Sequence, residues 1–245
     1  MPTEILSHIF AFTLPPHQQD AESAPWTISA VCARWRSIVL SQPNLWTFIR
    51  YHDQDTHIPS GADVLKLETQ LLRSGQAPLH IDFLVQEHSD DEEIVQMMYA
   101  HTERWETASF TGPEELCEHL RSYIQGPFPQ LREVTIEIDK AYPSDDDNIV
   151  LDMFHDAPLL QAAFVNRESW ATPVTMALPW SQLLRFGGRN TWEGHLAVLG
   201  SASNLVDCSL EIPGSDRITQ TLLRPIVLPR LLRLSPVRSP IFGMS

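Results

Sequence analysis

The sequence has few cysteines, no long apolar run and no basic N-terminal region. The three cysteines lie far apart, at Cys32, Cys117 and Cys208, so no pair has the spacing of metal ligands. They are expected to be buried free thiols in a reducing compartment. No stretch of eighteen apolar residues predicts a membrane span, and no basic segment precedes residues 5–14 as in a signal peptide. These absences predict a cytoplasmic and/or nuclear protein.

Basic side chains are scarce in the middle of the chain. Residues 51–160 hold six Lys and Arg against twenty-three Asp and Glu, a net charge of −17. Residues 1–50 are neutral, and residues 161–245 carry a net charge of +3. Because phosphate binding needs Lys and Arg to release counterions, this balance argues against a nucleic-acid partner. It is compatible with a basic protein partner, although solubility is the simpler explanation.

Motifs for catalysis and metal binding are also missing. Gly187-Gly188 has no P-loop lysine or dinucleotide fingerprint around it, and no Gly-x-Ser-x-Gly elbow occurs. The acidic run after His88 lacks the glycine and the ligand spacing of a calcium loop, and it fits a solvated helix start. We therefore expect no catalytic residue, no metal site and no cofactor. A small enzyme with a site assembled from distant residues stays open.

The first fifty residues do contain apolar helical patterns. Ile5, Leu6, Ile9 and Phe10 fall on one face of a first helix, with Pro2 in its first turn. A second helix is predicted over Trp26–Arg36, and its apolar spacing continues to residue 39. Two short helices cannot bury a core by themselves. Their apolar stripes must lie against the rest of the chain or against another protein.

These residues resemble an F-box, the helical module that docks substrate receptors onto the Skp-type adaptor of cullin-based ubiquitin ligases. The set is most similar to the F-box proteins of mushroom-forming fungi. The matching residues are Pro2, Glu4, Ile5, Leu6, Val31-Cys32, Trp35-Arg36, Pro43 and Leu45-Trp46. The resemblance implies a Skp-type partner, a cullin scaffold bound through it, and an adaptor-binding face: Pro2, Ile5, Leu6, Ile9, Val31, Cys32, Trp35 and Trp46. Alternatively, Trp35 and Trp46 are core anchors of an ordinary helical domain.

A weak repeat runs along the rest of the chain. Each unit has an apolar anchor followed by apolar residues three and five positions later, as in Leu131, Val134 and Ile136. The anchors are Trp105, Leu131, Leu160, Leu183, Leu205 and Leu231. Helices are predicted between them, including residues 114–124, 148–155 and 195–200. The order of strand and helix resembles degenerate leucine-rich repeats, in which stacked units share one core; the alternative is an α/β domain of unrelated strands.

The sequence thus predicts an α+β or α/β protein with two parts. Residues 1–50 form an F-box-like helical module, and residues 51–245 form a leucine-rich-repeat-like solenoid of short parallel strands and helices. The last predicted strand, Leu231–Leu234, has no covering helix after it, so a truncated product is one expectation. The resemblance implies a substrate-recruiting adaptor that holds an unidentified client protein. A repeat protein whose F-box no longer docks is the alternative.

Overall fold

The computed structural model describes residues 1–12, 24–52, 61–85, 92–113, 120–124, 126–138, 149–167, 174–212 and 225–238. Helices α1 to α6 run over Thr3–Ala11, Ala24–Val31, Ala33–Leu40, Gly61–Arg73, Glu92–Tyr99 and Trp192–Ser201. Strands β1 to β10 run over Phe48–His52, Leu79–Leu84, Trp105–Gly112, Glu133–Ile138, Ile149–Leu151, Ala162–Arg167, Val174–Met176, Arg185–Arg189, Asp207–Ile212 and Arg233–Arg238. In this described part, no helix is both long enough and apolar enough to cross a membrane.

The N-terminal helices form a small unit with its own core. We call α1, α2, α3 and the 3-10 turn Pro43–Trp46 the helical unit. Its buried cluster is lined by Leu6, Phe10, Ile38, Val39, Leu45 and Trp46, with Trp26, Ile28 and Trp35 packed at its edge. The first helix agrees with the sequence prediction. The second prediction was wrong, because the segment from Trp26 to Arg36 is two helices and not one.

The break between α2 and α3 falls at Cys32, whose backbone is extended with φ −160° and ψ 165°. On one continuous helix of 3.6 residues per turn, Trp26 and Trp35 would point in opposite directions. The break lets both reach the same cluster: Trp26 packs edge-on against Trp46, and Trp35 packs against Phe10, each with ring centres 5.0 Å apart. Packing of two large aromatic side chains against the cluster therefore accompanies the interruption of the helical pattern.

Eight strands form one parallel sheet in chain order, β1-β2-β3-β4-β6-β8-β9-β10, and β5 pairs with β7 in a separate parallel pair. Since each neighbouring pair is parallel, the chain must cross back to the same end of the sheet before each new strand. The coarse prediction of a mixed α and β protein with short parallel strands is confirmed. The sheet begins at Phe48, so the first three residues of β1 fall within the range 1–50 predicted for the helical module.

The repeat positions are in register on the inner face of the sheet. Val134 pairs with Ala163 and Ile136 with Val165, while Phe186 pairs with Cys208. Five of the six anchors are fully buried, and the last, Leu231, is half-buried: Trp105, Leu131, Leu160, Leu183 and Leu205 form the buried set. Helices α4, α5 and α6 contribute side chains to the same core, including Leu67, Leu71, Ile94, Met98 and Val198. The prediction that the repeat positions lie on parallel strands of one sheet is confirmed.

Three local predictions need correction or cannot be placed. Residues 148–155 were predicted as a helix, but Ile149–Leu151 is strand β5, which pairs with β7. The last strand is Arg233–Arg238, so it starts later than predicted and continues through Pro236, opposite Leu210. Of the helix predicted over residues 114–124, residues 120–123 are helical and 114–119 lie outside the described residues, as does the acidic run at 89–91.

Candidate protein-binding surfaces

Helix α1 has two apolar stripes, and only one is covered. Leu6 and Phe10 point into the helical unit and are 3% and 2% exposed. Ile5, Ile9 and Phe12 recur at the spacing of one helix face and are 49%, 44% and 87% exposed. The two stripes are neighbours on the helix surface, since successive residues such as Ile5 and Leu6 lie about 100° apart, so the apolar surface of α1 is wider than the part that the helical unit covers. The outer stripe is therefore an unusual feature for a helix that faces water.

The break between α2 and α3 lies beside the start of this stripe. Arg34 donates a hydrogen bond from Nη2 to the backbone oxygen of Met1 at 2.5 Å, which brings the first turn of α3 to the start of α1. Val31 and Cys32, at the break, are both exposed. We group the exposed residues of α1 and of the break under the name docking face: Pro2, Ile5, Ile9, Phe12, Val31 and Cys32.

Some residues predicted for adaptor binding lie inside the unit. Leu6 and Trp46 are buried, and the Trp46 indole N–H donates to the Val39 carbonyl oxygen at 3.0 Å. Trp35 is half-buried against Phe10. These three side chains pack in or against the core of the helical unit. Leu6 and Trp46 are too buried to contact a partner protein directly. The remaining five predicted residues lie on the docking face. Sequence reasoning missed Phe12, although its spacing from Ile5 and Ile9 is the helical signal that would have found it.

The cysteines differ from one another. Cys32 is exposed, so the prediction of a buried thiol was wrong there, because the helix break turns this residue outward. Cys208 is fully buried on β9, as predicted, and its burial raises the pKa of the thiol to about 11. Cys117 lies outside the described residues.

A second candidate surface is the face of the sheet that points away from α4, α5 and α6. We call it the open face; it carries Arg50 on β1, Asp82 on β2, Ser109 on β3 and Thr135 on β4, which are all half-buried. Parallel sheets are usually covered on both faces and apolar on both. The polar residues here indicate a face that meets water or a polar partner.

Charged side chains on the open face bond across neighbouring strands. The pairs include Arg50 with Asp82 at 2.8 Å, Arg233 with Asp207 at 3.2 Å and Arg189 with Glu211 at 3.5 Å. Each such surface pair contributes only about 0–1 kcal/mol. Their main effect is on specificity, because opposite charges favour this strand register over its neighbours.

One ion pair passes over a strand. Arg185 on β8 reaches Glu133 on β4 at 2.6 Å, although β6 lies between them. The residue of β6 in this row is Ala162, which is fully buried. Its short side chain leaves the space that the ion pair occupies. The Arg185 guanidinium also lies 5.9 Å from the ring centre of Phe164.

Asp82 is a carboxylate of the open face that two neighbouring side chains contact. Burial works against its charged form, but hydrogen bonds from His52 and Arg50 outweigh this and hold the pKa of Asp82 below its usual value. The His52 ring nitrogen Nε2 lies 3.5 Å from the same carboxylate oxygen that Arg50 contacts. The carboxylate therefore stays charged through the neutral range and anchors the β1 end of the face.

A cavity of about 590 Å³ opens on this face between β1 and β8. Its lining includes Arg50, Asp82, Ser109, Thr135, Glu133 and Arg185. The short hydroxyl side chains of Ser109 and Thr135 lie between longer charged side chains. The cavity therefore has room for a polar peptide segment. Among the described residues, His, Cys, Asp and Glu side chains do not gather in groups of three or more that could hold a metal ion.

No protein-family model matches the chain, and no curated protein matches it.

Proposed function

We propose that the protein is a substrate-recruiting adaptor of a cullin-type ubiquitin ligase. Its helical unit binds a Skp-type adaptor through the docking face, and the adaptor in turn binds a cullin scaffold. The observation that carries this proposal is the outer stripe of α1, where Ile5, Ile9 and Phe12 expose 44–87% of their area. Exposed apolar patches of this kind typically mark protein–protein contacts. The F-box resemblance of the same segment supports the choice of partner.

The sheet supports the client-binding half of the proposal. The chain-ordered parallel strands and the recurring buried anchors are the arrangement expected of leucine-rich-repeat-like coils. The open face and its cavity would receive a polar segment of the client protein. Catalysis would be by proximity, since holding the client near a ubiquitin-charged enzyme replaces a bimolecular encounter. The chain itself would contribute neither a catalytic residue nor a cofactor.

The docking face can be tested with charged substitutions that leave the core alone. Ile5→Asp combined with Ile9→Asp should abolish co-purification with a fungal Skp-type adaptor, because two carboxylates would be buried at an apolar contact without partners. The fold should remain, since both side chains are exposed in the free chain. Circular dichroism and the melting temperature check this directly.

A matched control uses two other exposed residues of a helix. Leu65 and Leu72 on α4 are 60% and 79% exposed, so Leu65→Asp with Leu72→Asp adds the same charge away from the docking face. This variant should bind the adaptor as the unmodified chain does. Retained binding by the Ile5 and Ile9 variant would overturn the proposed interface.

A second candidate function is that of a binding protein whose helical unit does not dock. The favouring observation is that the cavity residues come from β1, β2, β3, β4 and β8 and from positions just before strands, and none comes from the helical unit. Client binding therefore needs only the sheet. A folded chain that fails to bind the adaptor would favour this function over the first.

A further inference from the structure

The end of α4 lies against the helical unit, where α4 contacts the 3-10 turn Pro43–Trp46 and Arg73 reaches two indole rings. Arg73 is the last residue of α4, and its guanidinium carbon lies 4.4 Å from the ring centre of Trp46 and 5.0 Å from that of Trp26. The two rings stand edge to face, with centres 5.0 Å apart. A cation over indole rings at such distances is attracted by their π electrons, and more strongly when it is partly desolvated. Arg73 is half-buried in this position.

Helix α4 is itself fixed to the sheet. Its residues Leu67 and Leu71 lie in the sheet core, and Gln70 donates from Nε2 to the Phe48 carbonyl oxygen at 2.5 Å. After the helix, Ser74 accepts a hydrogen bond from the buried Arg104 at 2.6 Å. The end of α4 is therefore a firm base from which Arg73 extends toward the helical unit.

The covalent connection between the two parts is short. Trp46 ends the 3-10 turn and Phe48 begins β1, so Thr47 alone joins them. One covalent attachment leaves the helical unit free to rotate about it, and the contacts that α4 makes with the unit restrict that rotation. We propose that Arg73 is a positioning residue that fixes the angle between the helical unit and the sheet by seating its guanidinium on Trp26 and Trp46.

The angle decides where the open face lies relative to the docking face. The effect of this angle on how a client protein is held rests on the proposed function. The angle itself can be measured in the free chain. Loss of the Arg73 contact should leave the helical unit and the sheet folded, while the range of angles between them widens.

Spin-label distances in the full chain test this proposal. Cys32, exposed in the helical unit, takes one nitroxide label, and Ser209→Cys on the exposed part of β9 takes the other. Cys117→Ala removes one further thiol, and the buried Cys208 stays unlabelled. The parent chain should give one narrow distance peak. Arg73→Ala should broaden that peak, because no guanidinium then holds the Trp26 and Trp46 rings against the end of α4.

Two further variants separate charge from packing. Arg73→Lys keeps a cation and should restore the narrow peak, whereas Arg73→Met fills the space without charge and should broaden it. If the alanine variant fails to fold, the width of the distance distribution in the methionine variant tests the proposal instead. Arg121→Ala, which removes an exposed arginine paired with Asp152, is the control and should keep the narrow peak.

The outcomes are decisive in both directions. A narrow peak in Arg73→Met, or a lysine variant as broad as the methionine variant, would overturn the proposed seating of a cation. Adaptor pull-down is measured separately on the unlabelled chains and should not change with Arg73. Failure of the parent chain to bind the adaptor would count against the proposed function and would leave the distance result standing.

Discussion

At the scale of single residues, Gly188 on β8 shows how closely parallel strands approach one another. Its φ of +132° lies where side chains are rarely tolerated, and a Cβ atom there would overlap the carbonyl oxygen of Val165 on β6. Backbone atoms cannot yield as the end of a flexible side chain can. The Gly187-Gly188 pair is therefore a packing feature of the sheet and carries no phosphate-binding motif.

Gly188→Ala should destabilise the protein by about 3 kcal/mol or more, because both the positive φ and the overlap with Val165 must be relieved. Urea unfolding measures the change. Gly200→Ala is the matched control: Gly200 lies in α6, and a Cβ atom added there would meet nothing within 4 Å, so alanine should be neutral or stabilise by up to about 1 kcal/mol. Equal effects at the two sites would contradict this account of Gly188.

At the scale of elements, the break at Cys32 is the clearest difference between pattern and structure. The apolar spacing from Ile28 to Val39 predicts one helix, and the local pattern contains no proline or glycine that would interrupt it. The interruption depends on tertiary contacts, since Trp26 and Trp35 reach the same cluster only from two separate helices. By contrast, the strands β4, β6 and β9 were predictable, because each follows a buried anchor at a fixed distance.

Cys32 occupies the N-cap position of α3, and its side chain makes no capping hydrogen bond. Cys32→Ser should stabilise the protein by about 0.5–1 kcal/mol, because an extended serine at this position can accept a hydrogen bond from the first turn of α3. Cys32→Ala removes the thiol without adding an acceptor and serves as the control. Thermal melts of the three chains measure the effect, and a serine variant no more stable than the alanine variant would refute it.

At the scale of the whole molecule, the described residues form two separate apolar clusters. One lies in the helical unit around Trp46, and the larger one lies under the sheet around Trp105; both tryptophans are fully buried. Because the two clusters share no buried side chain, their stabilities can change independently. The connection through Thr47 and Arg73 joins them without merging their cores.

Trp46→Ala should therefore destabilise the helical unit by about 3–5 kcal/mol and leave the sheet largely intact. Hydrogen exchange should show lost protection in α1, α2 and α3, with amides of β3, β4 and β6 still protected. In the reverse experiment, Trp105→Ala should destabilise the sheet by a similar free energy, and the amides of β3, β4 and β6 should lose protection. Uniform loss of protection across the chain in both variants would show that the two clusters unfold as one.

The sequence by itself determined the alternation of apolar anchors and strands, the helical N-terminal segment and the absence of a recognised catalytic motif. These features are local, since spacing of three, four or five residues decides which side chains share a face. The tertiary structure alone decided which apolar stripe of α1 stays exposed, where the second helix breaks and which open-face charges pair. Each of these depends on residues distant in the chain, as when Arg185 reaches Glu133 over Ala162. Burial and pairing are properties of neighbours in space, and only the folded chain determines those neighbours.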